Sequence, residues 1–422
     1  MSILLDARAR VSAVLQEIER LKQAEFPYAH PRDALDLLEV RFQWHQSVLQ
    51  KTSESMPKGT IHNVCRDSLR ELRVYLPILG FVLRATNVRN AFEAHDPLQR
   101  LTNKVMGTDA KLIISSEWEF SPFVYRAGTG PLSGFVLIGL PAPESSNPLL
   151  LPLAGHELGH SIWEHERFST NYEQLIEEGI LKELINNRWS DYNVLYPQYR
   201  KEDIESGDMF AQQSLRPAYT WAKLQVEEMF CDFFGVCLFA ESFLYAFAYL
   251  LSPGTSGLRS LRYPNITRRV SHHVQAAKVL GVNVDAEYES SFEKELEPAD
   301  PATALLVSLA DVVSASFEGE LIKLAKNFAS KNDVPEKNLD NVRDISKLFS
   351  AYVMPIKKPA SLVDIMNAGW ECNMNENLWE GIPQIKGIDE KDTRRNRDRI
   401  LRDIILKSME IAEIYERLEK PA

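Results

Sequence analysis

The feature that most constrains the fold is a 19-residue segment, Phe233 to Leu251, in which Glu241 is the single charged residue. A helix that is apolar on all sides is either a membrane span or part of a buried core, and about 20 residues suffice to cross a bilayer. The segment continues directly from the acidic stretch LQVEEMFCD, and the next basic residue after it is Arg259. Because basic flanks are typical of membrane spans, we expect a buried core helix running to Leu251, with a membrane segment as the alternative.

Composition narrows the classes of protein and partner. The chain has 422 residues, enough for two or three domains, and its net charge of −11 argues against broad affinity for nucleic acid, which depends on neutralising phosphates. Its four cysteines form no C-x-x-C pair, and charges at Asp6, Arg8 and Arg10 interrupt any apolar signal region. We therefore expect a reduced, cytoplasmic protein with no nucleic-acid partner, while the oligomeric state stays open.

The periodicity of apolar residues predicts three regions and an α+β fold that is predominantly helical. Residues 1–105 show helical periodicity and predict an N-terminal helical region. Within 106–290, the short segments KLIISSEWEF and SGFVLIGLPAP predict a small β-sheet, and about 168–220 predicts a helical insertion. An acidic linker, EYESSFEKELEPADP, joins this core to a C-terminal helical region at 291–422.

The stretch AGHELGHSIW, residues 154–163, carries the first candidate chemistry. On a helix, residues four apart share a face, so His156 and His160 can direct both imidazoles at one metal ion. Glu157 points elsewhere but can reach a water bound to that ion, as in the H-E-x-x-H helix of metalloproteases. A pair of buried histidines with ordinary hydrogen-bond partners is the alternative.

The third ligand has to come from elsewhere in the chain. His165 lies five residues beyond His160 on a different helical face, so we expect it at the surface. Glu228 and Asp232 share one face of an apolar helix, where Glu228 could bind the metal and Asp232 could accept the second N–H of a ligating histidine. Buried carboxylates this close together are costly unless a cation offsets them. Glu227 is the less favoured alternative ligand.

With HELGH at 156–160 and EMFCDFFG at 228–235, the chain resembles the gluzincin metalloproteases, the thermolysin-like group. The resemblance extends from the strands near 111 to about 275 and implies a zincin-like core that holds one Zn²⁺ ion through His156, His160 and Glu228. The later segment RYPNITRRV resembles a His-Pro segment that ends in arginine in some members of the group. Here Tyr263 replaces that histidine.

A peptidase mechanism also requires an oxyanion donor and a template for the substrate. Tyr263 and His272 are the first candidates for the donor, and Arg268 and His273 are further ones. The segment Phe135 to Leu140 ends at Pro141, as an edge strand would, and could pair with an extended peptide. A plain core strand is the alternative.

These observations predict a zinc-dependent endopeptidase in which Glu157 activates a metal-bound water against a protein or peptide substrate. The alternative is a catalytically idle or regulatory helical scaffold with a structural zinc site. The intact Glu157 favours the enzyme, because a structural site needs no general base.

Overall fold

The computed structural model describes residues 3–87, 91–117, 123–125, 131–144, 147–254, 257–356, 360–379 and 390–419. Within these ranges the chain is predominantly helical and contains one small sheet, which confirms the predicted α+β class. The chain divides into two compact units, Met1–Asn147 and Pro148–Ala422.

Among its described residues, the first unit contains four α-helices followed by three strands. These elements are α1 (Ile3–Lys22), α2 (His30–Lys51), α3 (Lys58–Arg84), α4 (Asp96–Met106), β1 (Lys111–Glu117), β2 (Phe123–Tyr125) and β3 (Phe135–Pro141). The buried residues of α1 to α3, such as Phe42 and Phe81, form one apolar core, and Ile113 and Leu137 of the strands belong to it. A boundary between helices and strands is expected near residue 105, but the shared core joins them in one unit.

The sheet has the strand order β1-β3-β2. β3 pairs in parallel with β1, with Lys111 opposite Phe135, and in antiparallel with β2, with Phe123 opposite Gly139. The expectation that Phe135 to Leu140 forms an edge strand is therefore wrong, because both sides of β3 are hydrogen-bonded. From Leu137 to Gly139 the strand is already paired on both sides, which leaves no free edge for a peptide there.

The outer edge of β1 is covered by side chains that lie at or just before the starts of α2 and α4. The hydroxyl of Tyr28 accepts from the Ile114 amide and donates to the Ile114 carbonyl, at 2.7 and 2.9 Å. Ring nitrogens of His30 and His95 donate to the Leu112 carbonyl at 3.0 and 3.1 Å. These bonds satisfy backbone groups that would otherwise be open to pairing with another strand.

The second unit is built around one long helix, α9. Its helices are α5 (Ala154–His165), α6 (Ser169–Glu183), α7 (Trp189–Leu195), α8 (Lys201–Glu205), α9 (Met209–Phe239), α10 (Glu241–Leu251), α11 (Ile266–Leu280), α12 (Pro301–Ala315), α13 (Glu318–Lys331), α14 (Leu339–Ser350), α15 (Leu362–Met374) and α16 (Glu390–Glu419). α5, α6, α11, α12 and α13 all pack against α9. Helices on both sides of residue 290 therefore share one core, although the sequence analysis places a boundary there.

The apolar segment that begins at Phe233 lies in this core. Phe233, Phe234 and Phe239 are fully buried, as is Phe243, which confirms the prediction of a buried helical segment. The prediction of one continuous helix to Leu251 is wrong, because Ala240 adopts a positive φ of 50° and separates α9 from α10. Among the described helices, none combines the length and apolarity needed to cross a bilayer.

The segment that the sequence analysis interprets as an acidic linker is bound to the loop that precedes α11. Leu296 pairs with Leu258 in a parallel bridge, and Glu297 accepts hydrogen bonds from Arg259 and Asn265, each at 3.0 Å. The Ile266 amide donates to Glu295 at 2.8 Å. These contacts attach the segment to the loop before α11.

Candidate metal centre

Two glycines of α5 allow its backbone to approach α9 closely. A Cβ atom on Gly159 would lie 2.8 Å from the Cα atom of Cys231, and one on Gly155 would lie 3.3 Å from the Cα atom of Gly235. Gly155 and Gly159 are four residues apart, so both lie on the face of α5 that meets α9. This close crossing brings the histidines of α5 opposite the carboxylates of α9.

Replacing Gly159 by alanine is expected to lower the free energy of unfolding by about 1–3 kcal/mol, the usual cost of overpacking a core. The clash is with backbone, so the helices must separate for a methyl group to fit. Urea denaturation would measure the change. Gly319→Ala is the matched control, because Gly319 lies in α13 with no atom within 4 Å of the added Cβ. An equal effect of both substitutions would contradict the close approach of Gly159 to the backbone of Cys231.

The three predicted ligands come together in the structure. Glu228 Oε2 lies 3.2 Å from His156 Nε2 and 3.6 Å from His160 Nε2, and one ligand atom from each of the three residues lies within 4.8 Å of the others. Neighbouring ligands of a tetrahedral zinc ion with bonds of 2.0–2.1 Å would be about 3.3 Å apart. The buried His156, His160 and Glu228 therefore form a group, which we call the ligand group, that could hold a metal ion.

The hydrogen bonds around this group leave its inward atoms available for a metal. His156 Nδ1 donates to Asp232 Oδ1 at 2.8 Å, and His160 Nδ1 donates to Glu227 Oε1 at 2.7 Å. Each bond places the ring proton on Nδ1 and leaves the lone pair on Nε2. Glu228 Oε2 is buried and has no hydrogen-bond partner among the described residues, which is costly unless a cation satisfies it. The donor set thus fits a metal.

Glu227 and Asp232 each accept a hydrogen bond from one of the two histidines. Asp232 lies beside His156, as expected from the sequence. Glu227, weighed there only as a lesser ligand, instead orients His160. The signal for this role is the adjacent pair of acidic residues in an apolar helix, since two buried carboxylates each need a partner.

Asp232 is also the centre of a buried ionic network that sequence reasoning missed. Arg269 of α11 donates to its two oxygens through Nε and a terminal nitrogen, at 2.6 and 2.8 Å. His273 Nε2 lies 3.0 Å from Asp232 Oδ2, and His273 Nδ1 is 2.8 Å from the Tyr288 hydroxyl. Burial acts to raise the pKa of Asp232, but Arg269 and His273 outweigh it and hold that pKa well below its ordinary value.

Protonation of the ligand group depends on these charges. Burial lowers the pKa of His156, but the carboxylates of Asp232 and Glu228 outweigh burial and raise the pKa to about 10. Burial raises the pKa of Glu228, yet the neighbouring histidines and Arg269 lower it to about 2.

Glu157 lies beside the ligand group without belonging to it. Its side chain is buried and forms no hydrogen bond with another described residue. Burial raises the pKa of its carboxyl group, and the charges of His156 and His160 partly oppose this rise. A carboxylate with a raised pKa and free acceptor oxygens is suited to accept a proton from water.

The candidate oxyanion donors occupy different surroundings. The Tyr263 ring lies 4.7 Å from the Arg269 guanidinium, and burial together with the charge of Glu228 raises its hydroxyl pKa to about 12. Tyr263 therefore keeps its proton near the ligand group. His272 Nδ1 instead bonds with Glu318 of α13, and His273 is fully buried behind Asp232.

Two further side chains lie at the surface. Arg268 is exposed and lies 3.6 Å from Asp311. His165 is exposed as predicted and lies near Glu166 instead of the ligand group.

Arg262 is a second residue that the sequence analysis did not single out. Its Nε donates to Glu228 Oε1 at 3.0 Å, so it contacts a predicted ligand directly. The segment RYPNITRRV thus contributes Arg262, Tyr263 and Arg269 to the surroundings of the group. Tyr263 follows Arg262 by one residue and Arg269 follows Tyr263 by six. They lie across a loop and the start of a helix, so no simple periodicity relates them.

Comparisons of the chain with protein-family models, with curated proteins and with solved structures found no match. The buried cluster of His156, His160 and Glu228 is compatible with a metal site built on an H-E-x-x-H motif.

Proposed function

We propose that the protein is a zinc-dependent endopeptidase of the gluzincin type, acting on a protein or peptide substrate. The observation that carries the proposal is the unpaired, buried Oε2 of Glu228 facing the Nε2 atoms of two histidines whose Nδ1 atoms are already bonded. A carboxyl group, Glu157, lies beside them. A structural metal site would not need this additional buried carboxyl group.

Zinc is the metal that this donor set suits best, since two imidazoles and one carboxylate recur in tetrahedral peptidase sites that keep one position open. When bound, zinc supplies a Lewis acid that polarises a peptide carbonyl and lowers the pKa of water. Asp232 and Glu227 hold the two imidazoles in place for this role.

The chain's own side chains perform the proton transfers. Glu157 accepts a proton from the attacking water and then delivers it to the amine nitrogen that leaves. Tyr263, which keeps its proton, is the proposed hydrogen-bond donor to the oxyanion. His272 suits that role less well, because Glu318 already occupies its Nδ1.

The test combines metal content with peptide hydrolysis by the purified chain. We expect one zinc ion per chain by mass spectrometry, cleavage of an unfolded protein substrate, loss of cleavage on chelation and recovery on addition of zinc. Tightly bound zinc without hydrolysis of a broad peptide library would favour the structural-zinc scaffold instead. Absence of any bound metal after expression with zinc supplied would contradict both functions.

A further inference from the structure

The two oxygens of the Glu228 carboxylate have different surroundings. Oε1 accepts a hydrogen bond from Arg262 Nε at 3.0 Å. Oε2 is buried, has no hydrogen-bond partner among the described residues and faces His156 and His160. The carboxylate is thus oriented with Oε1 toward the Arg262 guanidinium and Oε2 toward the two histidines.

Arg262 is chemically suited to hold Oε1. A guanidinium stays protonated in proteins, and its hydrogen bond to a carboxylate is stronger than one between neutral groups. The Arg262 side chain is 46% exposed, whereas Glu228 is 1% exposed. Arg262 therefore reaches from the solvent side to a ligand that is otherwise enclosed.

The loop that carries Arg262 is fixed on both sides. Before it, the Arg259 side chain, 1% exposed, forms ion pairs with Asp311 of α12 and with Glu297. After it, Asn265 caps α11 and also donates to Glu297. These contacts fix the loop on both sides of Arg262, so the packing of the fold sets its position.

We propose that Arg262 restricts Glu228 to a single ligating oxygen, Oε2, and so keeps one position of the metal open for water or substrate. The inference deepens the proposed function and rests on its metal site. Without the Arg262 donor, Oε1 is free to approach the same ion, and zinc sites readily expand from four to five ligands. Arg262 acts through Glu228 and is therefore a positioning residue.

Cobalt substitution gives a readout that does not depend on activity. Four-coordinate Co²⁺ absorbs visible light more strongly than five-coordinate Co²⁺, so the spectrum of the Co²⁺-loaded protein reports the number of ligands. We expect the wild-type protein to show the strong four-coordinate spectrum and Arg262→Met to lose much of that intensity. Arg262→Lys, which keeps a cation and an N–H donor, is expected to restore it.

Arg268→Met is the matched control, since Arg268 is similarly exposed, at 52%, and pairs with Asp311 instead of a ligand. Its Co²⁺ spectrum should equal that of the wild type. Superimposable spectra of wild type and Arg262→Met would overturn the inference, as would a five-coordinate spectrum of the wild type. Strong Co²⁺ binding without peptide hydrolysis would instead contradict the proposed function, so the two failures are distinguishable.

Discussion

Replacement of Glu157 by glutamine is expected to lower kcat/KM for peptide hydrolysis by about 10²–10⁴-fold, the usual contribution of a general base, while one metal ion per chain is retained. Glutamine has nearly the same shape as glutamate but cannot accept the proton of the attacking water. Because Glu157 makes no hydrogen bond to another described residue, its replacement should leave the ligand group intact. Paired measurements of hydrolysis rate and metal content check both parts of the expectation.

Glu164→Gln is the control for this substitution, because Glu164 lies on the same helix but is exposed. It should keep wild-type activity. Hydrolysis by Glu157→Gln at the wild-type rate would remove the proposed general base. Loss of metal from Glu157→Gln would show that this residue is a ligand and not a base.

Replacement of Asp232 by alanine is expected to lower the free energy of unfolding by about 3–5 kcal/mol, because it leaves the buried Arg269 without its ionic partner. His156 loses its Nδ1 acceptor in the same variant, so metal affinity should fall about 10- to 100-fold. Urea denaturation in the presence of a chelator isolates the first effect from the loss of metal. Competition with a chromophoric chelator measures the second.

Asp208→Ala is the matched substitution for stability. Asp208 caps the same helix by accepting from the amides of Phe210 and Ala211, and its removal should cost about 1 kcal/mol without changing metal affinity. If Asp232→Ala were no more destabilising than Asp208→Ala, Asp232 would not be the centre of the buried network. Its place beside His156 would then be incidental.

The sequence predicts well which residues share a helix face, because helical periodicity is local. Spacing of four residues places His156 and His160 on one face, and the same spacing relates Glu228 to Asp232. The apolar residues around both pairs indicate burial, which the structure shows. Neither step requires knowledge of how distant segments pack.

The surroundings of the group were harder to predict because they depend on a loop and a third helix. Arg268 and Arg269 are adjacent in sequence, but the first is exposed and the second is buried against Asp232. Nothing in composition distinguishes them, since the difference is the rotation of α11 relative to α9. Arg262 reaches Glu228 from a loop whose path is set by Glu297, 35 residues later in the chain.

Both predicted strands are present, but the edge position expected for Phe135 to Leu140 was wrong for a related reason, and the core-strand alternative is the one observed. A proline at the end of a strand is compatible with an edge, but whether a strand lies at the edge depends on which other strands pair with it. Pro141 lies at the last position of β3 beside Glu117, where it ends the pairing without placing β3 at the edge.

The close crossing of α5 and α9 determines which changes in length the chain can tolerate. Three α-helices, α6, α7 and α8, lie between the two in sequence, and residues added to the turns that join them need not alter the crossing. A single residue inserted within α9 between Glu228 and Asp232 would rotate everything beyond it by about 100°. Evolutionary variation in length is therefore expected to concentrate between 166 and 208, while the register of the two helices stays invariant.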